Sequence, residues 1–262
     1  MHSFALTENY VVLLDSPLKN PEPEVLLGGV PFAEALRCKP GTGTRFLVFS
    51  KSDGVLAGTW EADPYVADHQ GNAFEDGGDI VIDCAAYDGR GFRNELYLDP
   101  QMRARYGVGG YPNDRGIVQH THAQFRRYRL RPGLSHADCE LLSDGEIEFP
   151  TIDYRRCNGR PYRVGFASAQ DTFYSHVMRV DMLLWSTRSW HVPGQYPGEP
   201  VFVSNGNPSN PDDGVLLTLV FDADRAISYL LVLDATSLEE VGRADLPRAT
   251  PLSFHGAFFP DL

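Results

Sequence analysis

Three histidines lie far apart in the chain, each inside a distinctive phrase: Met1-His2-Ser3-Phe4-Ala5-Leu6-Thr7-Glu8-Asn9-Tyr10, Asp68-His69-Gln70-Gly71-Asn72-Ala73-Phe74-Glu75-Asp76 and Ser253-Phe254-His255-Gly256-Ala257-Phe258. Neutral imidazole is a general ligand for transition metals. Histidines so distant in sequence, each at a strand end, converge on one ion only if the fold returns those ends to a common axis, as a closed or nearly closed ring does. The residues therefore point to a metalloenzyme on a β-propeller.

The elements that must position them are strands. Tyr10–Leu14, Thr44–Phe49, Asp79–Asp83, Phe125–Leu130, Tyr162–Phe166, Val201–Ser204, Val215–Phe221 and Ala226–Asp234 are short, rich in β-branched or aromatic residues, and bounded by Gly, Pro, Asp or Asn. Many short strands at regular spacing imply an all-β sandwich, barrel or propeller. Residues 213–258 have the form of one propeller blade, two long strands around Asp222-Ala223-Asp224 followed by a third near Val241. Short helices are expected at Pro31–Arg37 and Pro100–Arg105. The polar segment Trp190–Asp213 reads as a functional loop system.

Composition narrows the class. The 262 residues are 42% hydrophobic, enough for one large core and a single domain over 1–262. A formal charge of −12 repels phosphate backbones, so nucleic acid is not an expected partner. No apolar run approaches the ~20 residues of a membrane span and no signal peptide is recognisable, so a soluble cytoplasmic protein is expected. Cys38, Cys84, Cys139 and Cys157 form no CxxC pair and are expected to be free and mostly buried.

The three histidine phrases, taken with Glu148-Phe149-Pro150-Thr151-Ile152-Asp153 and Tyr196-Pro197-Gly198-Glu199-Pro200-Val201-Phe202-Val203, resemble the carotenoid cleavage oxygenase family, which includes β-carotene oxygenases and the retinoid isomerohydrolase of the visual cycle. Five motifs fall in the family's order between His2 and Phe259. The resemblance implies a seven-bladed β-propeller whose axis holds a non-haem Fe(II) on four histidines, three of them braced by glutamates. On that pattern His2, His69 and His255 match iron ligands, Glu148 matches the carboxylate orienting His69, and Glu199 the one orienting His255. A carboxylate that accepts the second ring N–H fixes the tautomer a ligand needs.

The family's first histidine, and the glutamate paired with the ligand matching His2, lie upstream of the HSFALTEN phrase. The chain is therefore expected to match the C-terminal part of the family's fold, a partial propeller without the N-terminal blades, with iron on three histidines held more weakly and in a wetter site. The implied activity is Fe(II)-dependent dioxygenase cleavage of one conjugated C=C bond of a carotenoid, apocarotenoid or stilbene-like substrate to carbonyl products, with O2 and an apolar polyene or stilbene as partners. No side-chain acid, base or nucleophile is then required, in keeping with the lack of a Ser-His-Asp or Cys-His signature. One alternative is a truncated non-catalytic remnant that binds an apolar ligand or a partner chain; another is a retinoid isomerohydrolase-like activity.

Other polar residues carry blander readings. His120 and His122 share a face but sit in a polar approach to a strand and read as solvated. His136, His176 and His191 are assigned no role. Asn72, Glu75 and Asp76 read as a turn after His69. Val25–Phe32 is apolar enough for peripheral membrane contact, yet equally suits a loop over the core.

Overall fold

A computed structural model describes residues 2–19, 23, 27–28, 37–39, 41–88, 123–170, 174–206, 210, 212–251 and 254–260. The expected helices at 31–37 and 100–105 lie outside these residues except for Arg37, which is in a strand. His120, His122 and all of Val25–Phe32 but Leu27 and Gly28 also lie outside them.

The architecture is all-β. Strands β1 (Ala5–Leu6) and β2 (Tyr10–Asp15) are followed by a short pair, β3 (Leu18–Lys19) and β4 (Arg37–Cys38), and then by β5 (Thr44–Ser50) and β6 (Leu56–Ala62). The first sheet has the order β1-β2-β5-β6. Strands β7 (Tyr65–Val66), β8 (Gln70–Asp76), β9 (Asp79–Asp88), β10 (Gln124–Leu130) and β11 (Asp138–Glu146) form the second, with β7 and β8 both pairing β9. The third sheet runs β12 (Glu148–Thr151), β13 (Val164–Gln170), β14 (Tyr174–Asp181), β15 (Ser186–His191). The fourth comprises β16 (Gln195–Pro197) and β17 (Val201–Ser204) along one edge of β18 (Gly214–Asp222), then β19 (Ile227–Asp234) and β20 (Glu240–Asp245). All strand pairings within these sheets are antiparallel, and each sheet is an up-and-down meander. Serial meanders of this width have the form of propeller blades.

Consecutive sheets bury facing sides against one another, so the second and third are covered on both faces. Val12, Phe46 and Val48 of the first meet Ile80, Ile82, Tyr128 and Leu130 of the second, with Tyr65 stacked on Tyr128 at 4.7 Å. Phe125 and Leu142 of the second meet Ala167, Met178 and Val180 of the third. Phe166, Val177 and Trp190 of the third meet Leu216, Val220, Tyr229, Leu231 and Leu233 of the fourth. Strand alternation makes this possible: along β18 every second residue is buried. Each fully buried Leu, Val or Phe contributes roughly 1.5–3 kcal/mol.

Between the second and third sheets lies a buried polar knot. Asp83 receives both Nε and Nη2 of Arg127 at 2.8 Å and the Tyr162 hydroxyl at 2.6 Å. The paired carboxylate holds the Arg127 guanidinium above its ordinary range despite burial.

Several sequence expectations need correction. Trp190–Asp213 is not simply a loop: it contains the end of β15 and all of β16 and β17, which supply the inner edge of the fourth sheet. The blade read at 213–258 therefore begins upstream at Gln195, and its described residues after Asp245 form no strand. The short strands escaped notice because Pro and Gly interrupt them. Asn72, Glu75 and Asp76 lie in β8 rather than a turn; Asn72 is buried, donating to the carbonyls of Cys157 and Arg160 at 3.0 and 2.9 Å and accepting from Gly159 N–H at 3.2 Å. Those contacts tie β8 to the single helical turn α1 (Tyr154–Cys157) and the loop after it. Cys84, Cys139 and Cys157 are free, but of these only Cys84 is buried. No helix among the described residues is long and apolar enough to cross a membrane.

Candidate metal centre

Three chain segments meet at one place, two of them strand ends and the third, around His255, a strandless segment rather than the expected strand end. His2 stands just ahead of β1, His69 just ahead of β8, and His255 follows the last strand. Each presents one ring nitrogen within 4.8 Å of the other two. The ring centroids of His69 lie 4.9 Å from those of His2 and 5.1 Å from those of His255. His2 Nε2 is 3.2 Å from His255 Nε2.

The carboxylates fix which nitrogens face inward. Glu148, the first residue of β12, sits 2.6 Å from His69 Nδ1 and is itself buried. A carboxylate only accepts, so Nδ1 carries the proton and Nε2 is left with a bare lone pair. That Nε2 is buried and has no hydrogen-bond partner. Burial pulls the His69 imidazole down, but the bond to Glu148 and its charge outweigh burial and leave it above its ordinary value. Glu199, in the bend between β16 and β17, stands 3.3 Å from His255 Nδ1 and accepts Gly256 N–H at 2.9 Å, clamping the segment that carries the third ring.

A buried imidazole nitrogen without a partner is a donor set awaiting an electrophile. The second ring nitrogen of His69 and that of His255 are both occupied by carboxylates, the arrangement seen behind metal-bound histidines. The residues therefore fit a divalent transition metal on the chemistry of their donors.

Two groups that sequence reasoning did not single out complete the site. Ser3 Oγ donates to the Asp68 carbonyl and accepts Gln70 N–H at 3.1 Å, so one hydroxyl laces the strand after His2 to both neighbours of His69. Phe149 has a left-handed backbone (φ 51°), held there in part by its N–H bonding to Glu148 Oε2 at 2.7 Å. Its ring packs 4.8 Å from His69, 5.6 Å from His255 and 5.0 Å from Tyr174, with Phe254 at 6.4 Å. The position of Phe149 directly after Glu148 was a signal for it; Ser3 gave none beyond adjoining His2.

The remaining described histidines stand elsewhere. His176 and His191 form a cross-strand stacked pair at 4.3 Å on β14 and β15. His136 lies beside Glu61, 3.9 Å between ring and carboxylate.

The family described as retinal pigment epithelial membrane protein (RPE65) matches residues 1–260. The chain belongs to this RPE65/carotenoid cleavage oxygenase family. Among curated members, the mitochondrial carotenoid-cleaving dioxygenase of Homo sapiens is 31% identical over 99% of this chain and 51% of its own length. The chloroplastic carotenoid cleavage dioxygenase 8 homolog A of Oryza sativa subsp. japonica is 30% identical over 99% of this chain and 47% of its own. The chain thus spans about half the length of the family members it matches. A solved ACO/RPE65 chimera superposes with a TM-score of 0.81 at 23% identity, over 97% of this chain and 52% of that one. Cobalt-substituted Synechocystis ACO gives 0.80 at 22% identity, over 96% and 51%. These likenesses establish that the family's fold is shared.

Proposed function

We propose that this chain carries the metal-binding portion of a non-haem Fe(II) dioxygenase that cleaves one conjugated C=C bond of a carotenoid, apocarotenoid or stilbene-like substrate to two carbonyl products. The observation that carries the reading is the partnerless, buried Nε2 of His69, facing two further imidazoles and backed by Glu148. On this reading the four meanders are consecutive blades of a seven-bladed propeller, and residues 1–262 form one domain corresponding to its C-terminal part.

His2, His69 and His255 would hold the ion. Iron, when bound, supplies the means of activating O2 beside the double bond. The protein's own groups do the rest. Glu148 and Glu199 hold the ring proton of two imidazoles on the outward nitrogen, leave the inward nitrogen as the ligand atom, and fix the rings in rotation. Phe149, Phe254 and Tyr174 give an aromatic wall that suits the flat face of a polyene. No side chain need donate or remove a proton from such a substrate.

The test is incubation of the Fe(II)-loaded protein with an apocarotenoid or a stilbene under isotopically labelled O2. Carbonyl products carrying the label support the reading. An isomerised alcohol without label, released together with a carboxylic acid from a retinoid ester supplied in parallel, would instead assign isomerohydrolase chemistry, and tight substrate binding without any product would assign a non-catalytic binding role.

A further inference from the structure

A cavity of about 300 Å³ adjoins the Glu199 brace of His255, between β17, the link from β12 to α1, and the segment that follows His255. Its walls include two carboxylates, Asp153 and Glu199, and three rings, Tyr154, Phe202 and Phe258; the rest is mostly apolar. Arg155, the one cationic residue of the lining, is exposed. Glu199 serves His255 Nδ1 with one oxygen and Gly256 N–H with the other. Each carboxylate oxygen has a second lone pair, so Glu199 can still accept from the cavity.

Asp153 is the anomaly. It directly precedes α1, where an aspartate carboxylate ordinarily accepts an N–H of the first helical turn. Here the carboxylate makes no such bond, and the Asp153 backbone carbonyl receives Arg156 and Cys157 N–H at 3.2 and 2.8 Å. The residue is 9% exposed, and its Oδ2 is buried with no hydrogen-bond partner among the described residues. A buried carboxylate oxygen left unpaired is unfavourable, so a donor that enters the cavity gains a bond for which no described residue competes.

The walls choose the donor. Two carboxylates call for a cation that carries several N–H groups. Apolar and aromatic surroundings disfavour a hard metal ion, which takes its shell from oxygen, and a strongly hydrated ammonium. A guanidinium is planar and weakly hydrated, lies against ring faces, and carries five donors in a fork that matches carboxylates. A cavity of this size holds that group on a short alkyl chain.

We propose that the cavity binds a small alkylguanidine, its fork donating to Asp153 Oδ2 and Glu199 and its chain lying along Phe202 and Phe258. Binding there requires neither iron nor the cleavage of a polyene.

The experiment is isothermal titration of the purified full chain with butylguanidinium, beside butylurea, its neutral planar counterpart. An Asp153→Asn variant, whose amide oxygen suits the same position before a helix, is titrated in parallel after circular dichroism has checked its fold. The butylurea arm needs no substitution. The expected result is one saturable butylguanidinium site per chain, with affinity about tenfold or more lower for butylurea and in Asp153→Asn. No saturable binding of butylguanidinium overturns the proposal. So does butylurea binding as tightly, or undiminished binding by folded Asp153→Asn, since the Asp153 carboxylate would then play no part.

Discussion

Nε2 of His2 and Nε2 of His255 stand 3.2 Å apart, with Nδ1 of His255 turned to Glu199. Glu199 holds the His255 proton on its far nitrogen, so a lone pair faces His2. Two imidazole lone pairs cannot share that distance unless a proton or a cation lies between them. A cation serves all three rings at once, because the inward nitrogen of His69 lies in the same cluster without a partner.

The two bracing carboxylates differ in quality. Glu148 is buried and 2.6 Å from its imidazole; the exposed His255 is 3.3 Å from Glu199. Glu148→Gln keeps an acceptor for Phe149 N–H but loses the charge behind His69. Metal titration is expected to show about 10–100-fold weaker affinity for Glu148→Gln and a smaller loss for Glu199→Gln. A larger effect of Glu199→Gln would contradict the ranking.

Ser3 positions rather than ligates. Its hydroxyl spans the Asp68 carbonyl and Gln70 N–H, on either side of His69. Ser3→Ala is expected to weaken metal binding and broaden the visible spectrum of a bound Co(II) ion, while Ser3→Thr restores both. If Ser3→Ala lowers stability but leaves that spectrum unchanged, the hydroxyl serves only the fold.

Asp83 is fully buried with one guanidinium and one phenol on its oxygens. Asp83→Ala strands the Arg127 charge between two sheets and is expected to cost about 3–5 kcal/mol in urea unfolding. A loss below about 1 kcal/mol would mean that water reaches the knot.

Asp181 gives a pH signature. Burial raises its carboxyl, but the bonds from Arg163 and from Leu183 and Leu184 N–H prevail and hold it below the ordinary value of 3.8. A carboxyl depressed in the folded state stabilises above its unfolded value, and that contribution is lost as pH falls through and below 3.8. Asp181→Asn should therefore lower the urea midpoint at neutral pH and converge with wild type in acid. Parallel curves at all pH values would exclude this origin.

The legible parts of the sequence were those with a strong local signature. Strands β2, β5, β18 and β19 are runs of Val, Leu and Phe, and they form where expected. The strand β8, Gln-Gly-Asn-Ala-Phe-Glu-Asp, reads as a turn because its polar residues find partners only in three dimensions. Asn72 is paid in bonds from the loop after α1, and Glu75 accepts from Thr7 Oγ1 and Asn9 N–H. The histidine and glutamate phrases were legible as motifs, and the structure brings those five residues to one place. Ser3 was not, since its part depends on a backbone carbonyl, and Phe149 was marked only by its place after Glu148, its left-handed φ being nothing that residue type announces.

The central claim is that His2, His69 and His255 form a metal centre, and anaerobic Fe(II) binding to the purified chain tests it most directly. The account predicts one iron per chain, lost in His69→Ala and His255→Ala and retained in His136→Ala. Failure of the wild-type chain to bind iron, or equal retention in all three variants, would contradict it.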